Sequence, residues 1–480
     1  MPNSISEEFQ RALEFHKAGR LDKAENAYLT LVSKEPNNSS ALHNVGVVLA
    51  QKHKQKEAIK YFDRAICVLP DYPEAFNNRG STLLALGEFD QAVASYKQSL
   101  KIRPDYAEAE QNLANAFMKL SKLQKALDIY VKLLKNNPNN YSAMLNAGLA
   151  NLTLGNLEKA QKYFDETMTI RQSEQHRNFG KKDSFYTTKA KLSHDAAQFR
   201  YLSKIGLDKC GIDRIVDNYQ QLISGIDWKK SSQNTVQLTE HELLRIEKTY
   251  NRPFHICNLP KVNSDVINPL LETETISRQY DKSTPNLAYF DHFLTAGALV
   301  NLRRFLLEST IWYDFSHIEG QLAAYLENGL ANPLLLKIAY EIKNLLPKIF
   351  EDLPLTQVWA FKGLHGNQGI DLHADSGAVS LNFWVTPDAA NLDPETGGII
   401  IHEIPPPQNW RLDNFHKDKK LIEEYLHKTG GKTLSIPYRE NRAVIFKSEL
   451  FHQSDVVNFK SGYENHRINI TMVFGYGDLI

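Results

Sequence analysis

A proline that returns every 34 residues constrains this chain more than any other feature. Pro36, Pro70, Pro104 and Pro138 keep that step, and other positions keep it with them. Twelve residues before each proline stands Ala24, Ala58, Ala92 or Ala126, with Ala160 continuing the series. Four residues on comes an aromatic: Tyr28, Phe62, Tyr96, Tyr130 and Phe164. Small residues recur at Ala12, Gly46, Gly80, Ala114 and Gly148. Proline cannot continue a helix interior, so each unit is expected to be two short helices with the proline at the break. The small residue lets the helices approach, and the aromatic fills the gap between neighbouring pairs. One such unit cannot bury its own apolar face, so the copies must stack into a solenoid.

Five copies spanning residues 5–174 resemble the tetratricopeptide repeat, whose period is about 34 residues. The fifth carries Gln172 in place of the proline, so the array is expected to end or change there. One polar position also keeps the period: Asn44, Asn78, Asn112 and Asn146, with Gln10 in the first copy. An amide both donates and accepts, so a row of them along the inner groove could hold an extended chain by its backbone. The row resembles the asparagine ladder in the repeats of O-linked N-acetylglucosamine transferase. The equal alternative is that asparagine is simply common at this repeat position. The resemblance implies a protein or peptide partner in the groove.

The chain's 480 residues exceed what one hydrophobic core usually serves, and their 42% hydrophobic and 23% charged content is that of a folded protein. Lys+Arg and Asp+Glu both number 56, a balance that gives no electrostatic footprint for nucleic acid or an anionic membrane. Cys67, Cys210 and Cys257 form no CxxC pair; they suit a reducing compartment and read as small buried hydrophobes. The N-terminal stretch has no signal-peptide pattern, and no run of about 18 apolar residues occurs, so a cytoplasmic protein without a membrane span is expected. The period is lost over residues 175–285. Helical spacing over 189–206 and 212–226 suggests degenerate repeat helices that cap the array, and 258–285 reads as a connector or a first strand. His194 and Asp195, in this region, read as structural.

The composition shifts at about Asn286. A strand and an amphipathic helix are followed by a second helical stretch near 334–350. Strand-like segments then come at 355–364, 369–375, 378–386, 397–404, 442–448, 451–457 and 467–476. Helices followed by many short strands point to an α+β domain around a β-barrel or sandwich. Within it lie His373-Ala374-Asp375, then His452, then Arg467. Two residues apart on a strand, His373 and Asp375 share a face. With His452 they would make a 2-His-1-carboxylate set, which leaves coordination positions open on Fe(II). Arg467 can bind a carboxylate through two parallel hydrogen bonds, and Asn469 and Thr471 share its face.

In the order of these motifs, residues 286–480 resemble the double-stranded β-helix superfamily of 2-oxoglutarate/Fe(II) oxygenases. The resemblance implies that His373, Asp375 and His452 are the iron ligands and Arg467 the 2-oxoglutarate anchor. It places Gly397 and Gly398 in the strand that admits the cosubstrate, with O₂ as the second cosubstrate. Asp375 fills the position that halogenases leave small, so hydroxylation is preferred. Ile370 stands where the prolyl 4-hydroxylase pattern has tyrosine, and Asn469 where a serine often follows the arginine. Asn382 and Trp384 are therefore further candidates for holding the cosubstrate. Residues 404–438 read as an insertion that covers the site. His365, His402, His416, His427 and His466 read as structural or exposed, with His466 facing away from Arg467. A zinc site is the rival metal reading, and the jumonji branch is disfavoured by the arginine.

The expectation is thus a multidomain chain with three parts: an all-α tetratricopeptide solenoid (5–174), a helical connector (175–285), and an α+β domain with a double-stranded β-helix core (286–480). Its expected activity is hydroxylation of a protein or peptide. The alternatives are a small-molecule oxygenase whose repeats only dock a partner, and a non-catalytic scaffold.

Overall fold

The computed structural model describes residues 2–177, 186–207, 211–228, 235–260, 264–316, 320–350, 353–364, 369–407, 410 and 419–476. The chain divides into two compact units, residues 1–150 and 151–479.

The first unit is a run of antiparallel helical hairpins: α1 (Pro2–Lys17) with α2 (Leu21–Lys34), α3 (Ser39–Gln51) with α4 (Gln55–Val68), α5 (Pro73–Ala85) with α6 (Phe89–Ile102), and α7 (Ala107–Lys119) with α8 (Leu123–Asn136). A ninth helix, α9 (Tyr141–Thr153), runs past the division between the units. Each second helix stops where the period says it must. The residues before the prolines, Glu35, Leu69, Arg103 and Asn137, leave helical geometry with ψ of 83°, 91°, 92° and 91°. The proline ring excludes the α region for the residue it follows. The next helix is restarted by a cap or by proline itself. The Asn38 side chain accepts from the Ala41 N–H and Asn140 from the Ala143 N–H, while Pro73 opens α5.

Inside the hairpins the periodic residues form the core. Tyr28, Phe62, Tyr96 and Tyr130 are fully buried, as are Ala24, Ala58, Ala92 and Ala126. The glycines are there for room: a Cβ on Gly46 would lie 2.8 Å from the Phe62 ring, and one on Gly80 2.7 Å from the Tyr96 ring. Burying each such aromatic contributes roughly 1.5–3 kcal/mol before entropy is counted. Of the cysteines, Cys257 is buried but Cys67 is exposed on α4, against expectation, and Cys210 lies outside the described residues. Position 67 follows the buried Ala65 and turns to the solvent side of the helix.

The second unit begins with α10 (Leu157–Arg177), where the repeat marks Ala160 and Phe164 are again buried. Its Gln161 donates to the Ala331 carbonyl. A short hairpin of β1 (Tyr186–Thr188) and β2 (Thr235–Gln237) brackets α11 (Lys189–Lys204) and α12 (Ile212–Gly225), and α13 (Glu240–Ile246) follows. The helices expected at 189–206 and 212–226 are thus present. α11 packs against α15 (Ala296–Glu308), and Gln198 donates to the carbonyls of Leu307 and Ser309. Residues 258–285 hold no strand among those described; their second half forms α14 (Thr273–Lys282).

Two antiparallel sheets make up the rest. The strands are β3 (Leu287–Phe290), β4 (Gln321–Tyr325), β5 (Leu355–Gly363), β6 (Val379–Trp384), β7 (Ile399–His402), β8 (Thr433–Ile436), β9 (Ala443–Lys447), β10 (His452–Ser454) and β11 (Arg467–Phe474). The larger sheet runs β3-β9-β6-β11-β5-β4 and the smaller β10-β7-β8. Between them lies an apolar layer of Trp384, Val444 and Phe446 from one and Ile399, Ile401 and Ile436 from the other. The outer face of the larger sheet is apolar too. Phe383 packs on Phe293, and Phe474 packs on Phe350 of α17 (Pro347–Phe350), which follows α16 (Pro333–Leu345).

Three expectations are corrected here. Residues 369–375 are not a ladder strand; only His373 bridges His452, because the glycine at 369, at φ +83°, and the bends around 370–372 break the extended run. β4 and β8 were not anticipated. The 404–438 segment, read as an insertion with a helix-like run, does hold that helix as α18 (Lys419–Thr429), but it also supplies β8 to the smaller sheet, while 408–409 and 411–418 lie outside the described residues. Ile422 of α18 is fully buried against Leu372, Ala374 and Phe451.

Candidate metal centre

Strand pairing brings the three expected ligands together. His373 and His452 exchange both backbone hydrogen bonds, 3.0 and 2.8 Å, and the Asp375 N–H donates to the Ser448 carbonyl. One ligand atom from each of His373, Asp375 and His452 lies within 4.8 Å of the others. His373 Nε2 is 3.6 Å from Asp375 Oδ1, and His452 Nε2 is 3.7 Å from Oδ2. The outer ring nitrogens are already engaged. His373 Nδ1 is 2.7 Å from the Asp371 carbonyl oxygen and His452 Nδ1 is 2.9 Å from that of Leu450. A carbonyl only accepts, so Nδ1 carries the proton in both rings and each Nε2 points its lone pair inward. Ser380 donates to Asp375 Oδ2 at 2.6 Å and fixes that carboxylate.

The electrostatics agree. Burial works to raise the Asp375 carboxyl, but the two imidazoles and the Ser380 hydroxyl hold it below its ordinary value. His452 is pushed down to about 4 by burial and then by His373, so it stands neutral at physiological pH. Burial alone would also depress His373, yet Asp375 beside it raises it. Two imidazole lone pairs and a carboxylate turned on one point suit a divalent metal.

The larger sheet carries the remaining candidates on the same face. Arg467 is in register with Gly363, Asn469 with Phe361 and Trp384, and Thr471 with Trp359 and Asn382. These side chains and the three ligands line one pocket. Arg467 is 5% exposed, and among the described residues no carboxylate lies within ion-pair distance of it, although Asp455 acts on it from farther away. Its guanidinium is gripped by backbone: Nε donates to the Gly397 carbonyl at 2.6 Å and Nη2 to that of Gly398 at 3.0 Å. Burial brings its pKa down to about 10. Asn469 donates to Thr471 Oγ1, while the Asn382 and Asn469 side-chain oxygens and Trp384 Nε1 are buried without partners.

The glycine pair lies just before β7 and has a backbone reason of its own. A Cβ on Gly398 would collide with the Ile436 carbonyl, so glycine is required by the close approach of the chain leaving β8. Gly397 sits at φ +81°, a conformation glycine adopts without strain.

Each repeat asparagine already gives an N–H of its side-chain amide to a neighbour, one of the two it carries. Asn78 Nδ2 is 2.8 Å from His43 Nε2, Asn112 Nδ2 donates to Asn77 Oδ1 at 3.0 Å, and Asn146 Nδ2 to Asn115 Oδ1 at 3.3 Å. Asn44 bonds back to its own helix at Ser40. Three of the four therefore stitch adjacent repeats.

Residues that sequence reasoning set aside form a second polar cluster on the outer face of the sheet. Lys362 is fully buried, 3.3 Å from His194 Nε2 and 3.0 Å from the Tyr463 hydroxyl, and over the Trp312 ring at 4.2 Å. Asp195 pairs with Lys191 and His194. His466 stacks near His194, on the side away from Arg467 as expected. Burial drives Lys362 well below the ordinary lysine range. His427 is exposed and His402 half-buried, while His365 and His416 lie outside the described residues.

Comparison with known proteins bears on the repeats. Residues 9–75 and 111–172 match the tetratricopeptide repeat family, and residues 80–121 match a TPR repeat family. Among solved structures, MamA is 22% identical over 34% of this chain and 96% of its own, at a TM-score of 0.33. YrrB, a TPR protein with an unusual peptide-binding site, is 21% identical over 34% of this chain and 84% of its own, at 0.31. A Thermobaculum terrenum O-GlcNAc transferase mutant is 23% identical over 28% and 26%, at 0.27. No curated protein matches the chain. No described helix is long and apolar enough to cross a membrane. The matched stretches of the chain's first third are tetratricopeptide repeats, followed by a unit that carries β-sheets.

Proposed function

We propose that the second unit is a 2-oxoglutarate- and Fe(II)-dependent oxygenase built on a double-stranded β-helix, and that it hydroxylates a protein or peptide recruited by the repeats. A triad of two histidines and an aspartate would equally suit zinc. The observation that carries the iron reading is Arg467, a buried guanidinium with no carboxylate partner among the described residues, lining the same pocket as the three ligands. Asp455 acts on the guanidinium only from beyond ion-pair distance, so the buried cation stays costly and the pocket suits an anionic ligand. A dicarboxylate that chelates the metal at one end and reaches Arg467 at the other answers that need.

His373, Asp375 and His452 would hold the ferrous ion, and Arg467 the far carboxylate. When bound, that pair supplies O₂ activation coupled to decarboxylation of 2-oxoglutarate, giving succinate, CO₂ and a hydroxylated product. The chain's own part is positional. The Asp371 and Leu450 carbonyls fix both imidazole tautomers, Ser380 orients Asp375, and Trp384, Asn382 and Asn469 offer hydrogen-bonding atoms that lack protein partners. Leu372, Ala374, Phe451 and Ile422 form an apolar wall that limits water. Tetratricopeptide repeats are protein-interaction modules, which supports a macromolecular substrate.

The test is anaerobic addition of Fe(II) and then 2-oxoglutarate to wild type, His452→Ala and Arg467→Ala. Visible charge-transfer absorption of the chelate is expected in wild type, lost in His452→Ala, and reached only at higher 2-oxoglutarate in Arg467→Ala. Absence of the band, with tightly held zinc in its place, would remove the oxygenase reading. The protein would then be better read as a repeat scaffold.

A further inference from the structure

A wider cleft of about 520 Å³ opens beside the metal ligands, within the range of sites that take a small ligand or a side chain with its flanking backbone. Its wall is the continuation of the ligand-bearing face of the larger sheet. Trp359 and Phe361 come from β5, and Gln321 and Tyr325 from β4. Gln321 is the unusual member. It stands in register with Gly363, which offers no side chain across the strand, and Gly363 in turn is in register with Arg467. Gln321 is 4% exposed, and among the described residues its buried side-chain oxygen has no hydrogen-bond partner. A buried amide oxygen without a donor costs stability unless a ligand supplies one.

Charge narrows the ligand further. Among the described lining residues the charged groups are Asp375, turned to the ligand cluster, and Asp371, paired with Lys419 Nζ at 3.0 Å. An anionic side chain entering this cleft would meet carboxylates and no cation among its described lining residues, and a cationic one would meet only carboxylates already paired or turned to the ligand cluster. A peptide group, by contrast, presents a C=O and an N–H that one glutamine amide can meet together.

Resting on the oxygenase reading, we infer that the cleft holds an extended peptide segment whose reacting side chain is uncharged, with Gln321 pairing one of its amide groups against the Trp359 and Tyr325 rings. Gln321 is then a specificity residue of the site.

The test measures binding of capped tetrapeptides to the full-length protein by calorimetry. The central residue is asparagine, proline or leucine in one set, aspartate or lysine in the other, and free amino-acid amides are run alongside. Such peptides are too short to span several repeats. Neutral-centred peptides are expected to bind about tenfold tighter than charged ones and than free amides, the scale of one unmatched buried polar group. Gln321→Met keeps the side chain's size and should remove about that factor; Gln321→Glu should turn the preference towards lysine. Equal binding of charged and neutral peptides, an unaltered Gln321→Met, free amides that match the peptides, or no binding at all would each overturn the inference. The chelate absorption reports separately on the oxygenase reading. Its absence alongside Gln321-dependent peptide binding removes the oxygenase and leaves the cleft; its presence with an indifferent Gln321→Met removes the cleft assignment alone.

Discussion

The side chain of Arg467 is anchored by the backbone of Gly397, whose carbonyl oxygen accepts from Nε at 2.6 Å. With the Gly398 carbonyl on Nη2, this leaves Nη1 and the outer edge of the guanidinium for a carboxylate. The anchor depends on glycine because the Gly398 backbone passes so close to Ile436. Gly398→Ala is therefore expected to push β7 from β8, shift both carbonyls and loosen Arg467. Affinity for 2-oxoglutarate should fall by roughly tenfold or more, the usual cost of losing a supporting contact. On the oxygenase reading, Fe(II) affinity would be set by His373, Asp375 and His452 and should change far less. Titration of each ligand in turn checks this, and a parallel loss of both would mean that the glycine pair only supports the fold.

In the repeats, Gly80→Ala should destabilise the array. The new methyl would meet the Tyr96 ring at 2.7 Å in a pair of helices with no slack, and overpacking of this kind costs about 1–3 kcal/mol. Native-state hydrogen exchange over α5 and α6 would localise the loss. Protection equal to wild type would mean that the hairpin opens to accept the methyl without cost.

How much of this was legible in the sequence follows from how local each signal is. The repeats could be read because one period fixes the small residue, the aromatic and the proline at once, and all three act within a single hairpin. His373, Asp375, His452 and Arg467 were legible as a motif order, although the first two do not lie on the strand expected for them. What escaped were features made by partners distant in sequence. Gln321 belongs to β4, whose run QLAAY has no alternation because both its faces are covered. Lys362 meets His194 across 168 residues, and β8 lies within what read as an insertion. The asparagine row was legible in position, but its bonds within the repeats were not, because the partners vary: His43 and Asn77 stand 34 residues apart but differ in type, and Asn115 falls at another phase.

That use separates two roles for Asn112. Its Nδ2 is given to Asn77, while its Oδ1 has no partner among the described residues and is left to accept from a bound backbone. Asn112→Asp keeps the acceptor and loses the donor; Asn112→Ala loses both. If the row holds substrate, Asn112→Ala should raise KM for a macromolecular substrate by about tenfold, the worth of a hydrogen bond or two. Asn112→Asp should stay near wild type, and uncoupled 2-oxoglutarate turnover should be unaltered in both. Equal KM values in the two variants would confine Asn112 to stitching the repeats together.

The link between His43 and Asn78 makes the array sensitive to acid. His43 Nε2 accepts from the Asn78 amide at 2.8 Å, which requires a neutral ring, and the ring packs beside Phe62 and Tyr72 with centroids 5.7 and 5.0 Å away. Burial pushes its pKa down to about 4, with Glu74 opposing. In the unfolded chain the same group titrates near its ordinary 6.5. Between those two values the unfolded state binds the extra proton, so stability rises with pH across the window and falls on acidification through it. The loss is complete near the folded value and has an upper bound of about 3 kcal/mol. Hydrogen exchange over α3 to α6, corrected for intrinsic rates, should show weaker protection at about pH 5 than at about pH 7. In His43→Gln, which offers Asn78 an acceptor that does not titrate, most of that difference should vanish. An equal acid loss in His43→Gln would place the sensitivity elsewhere in the repeats.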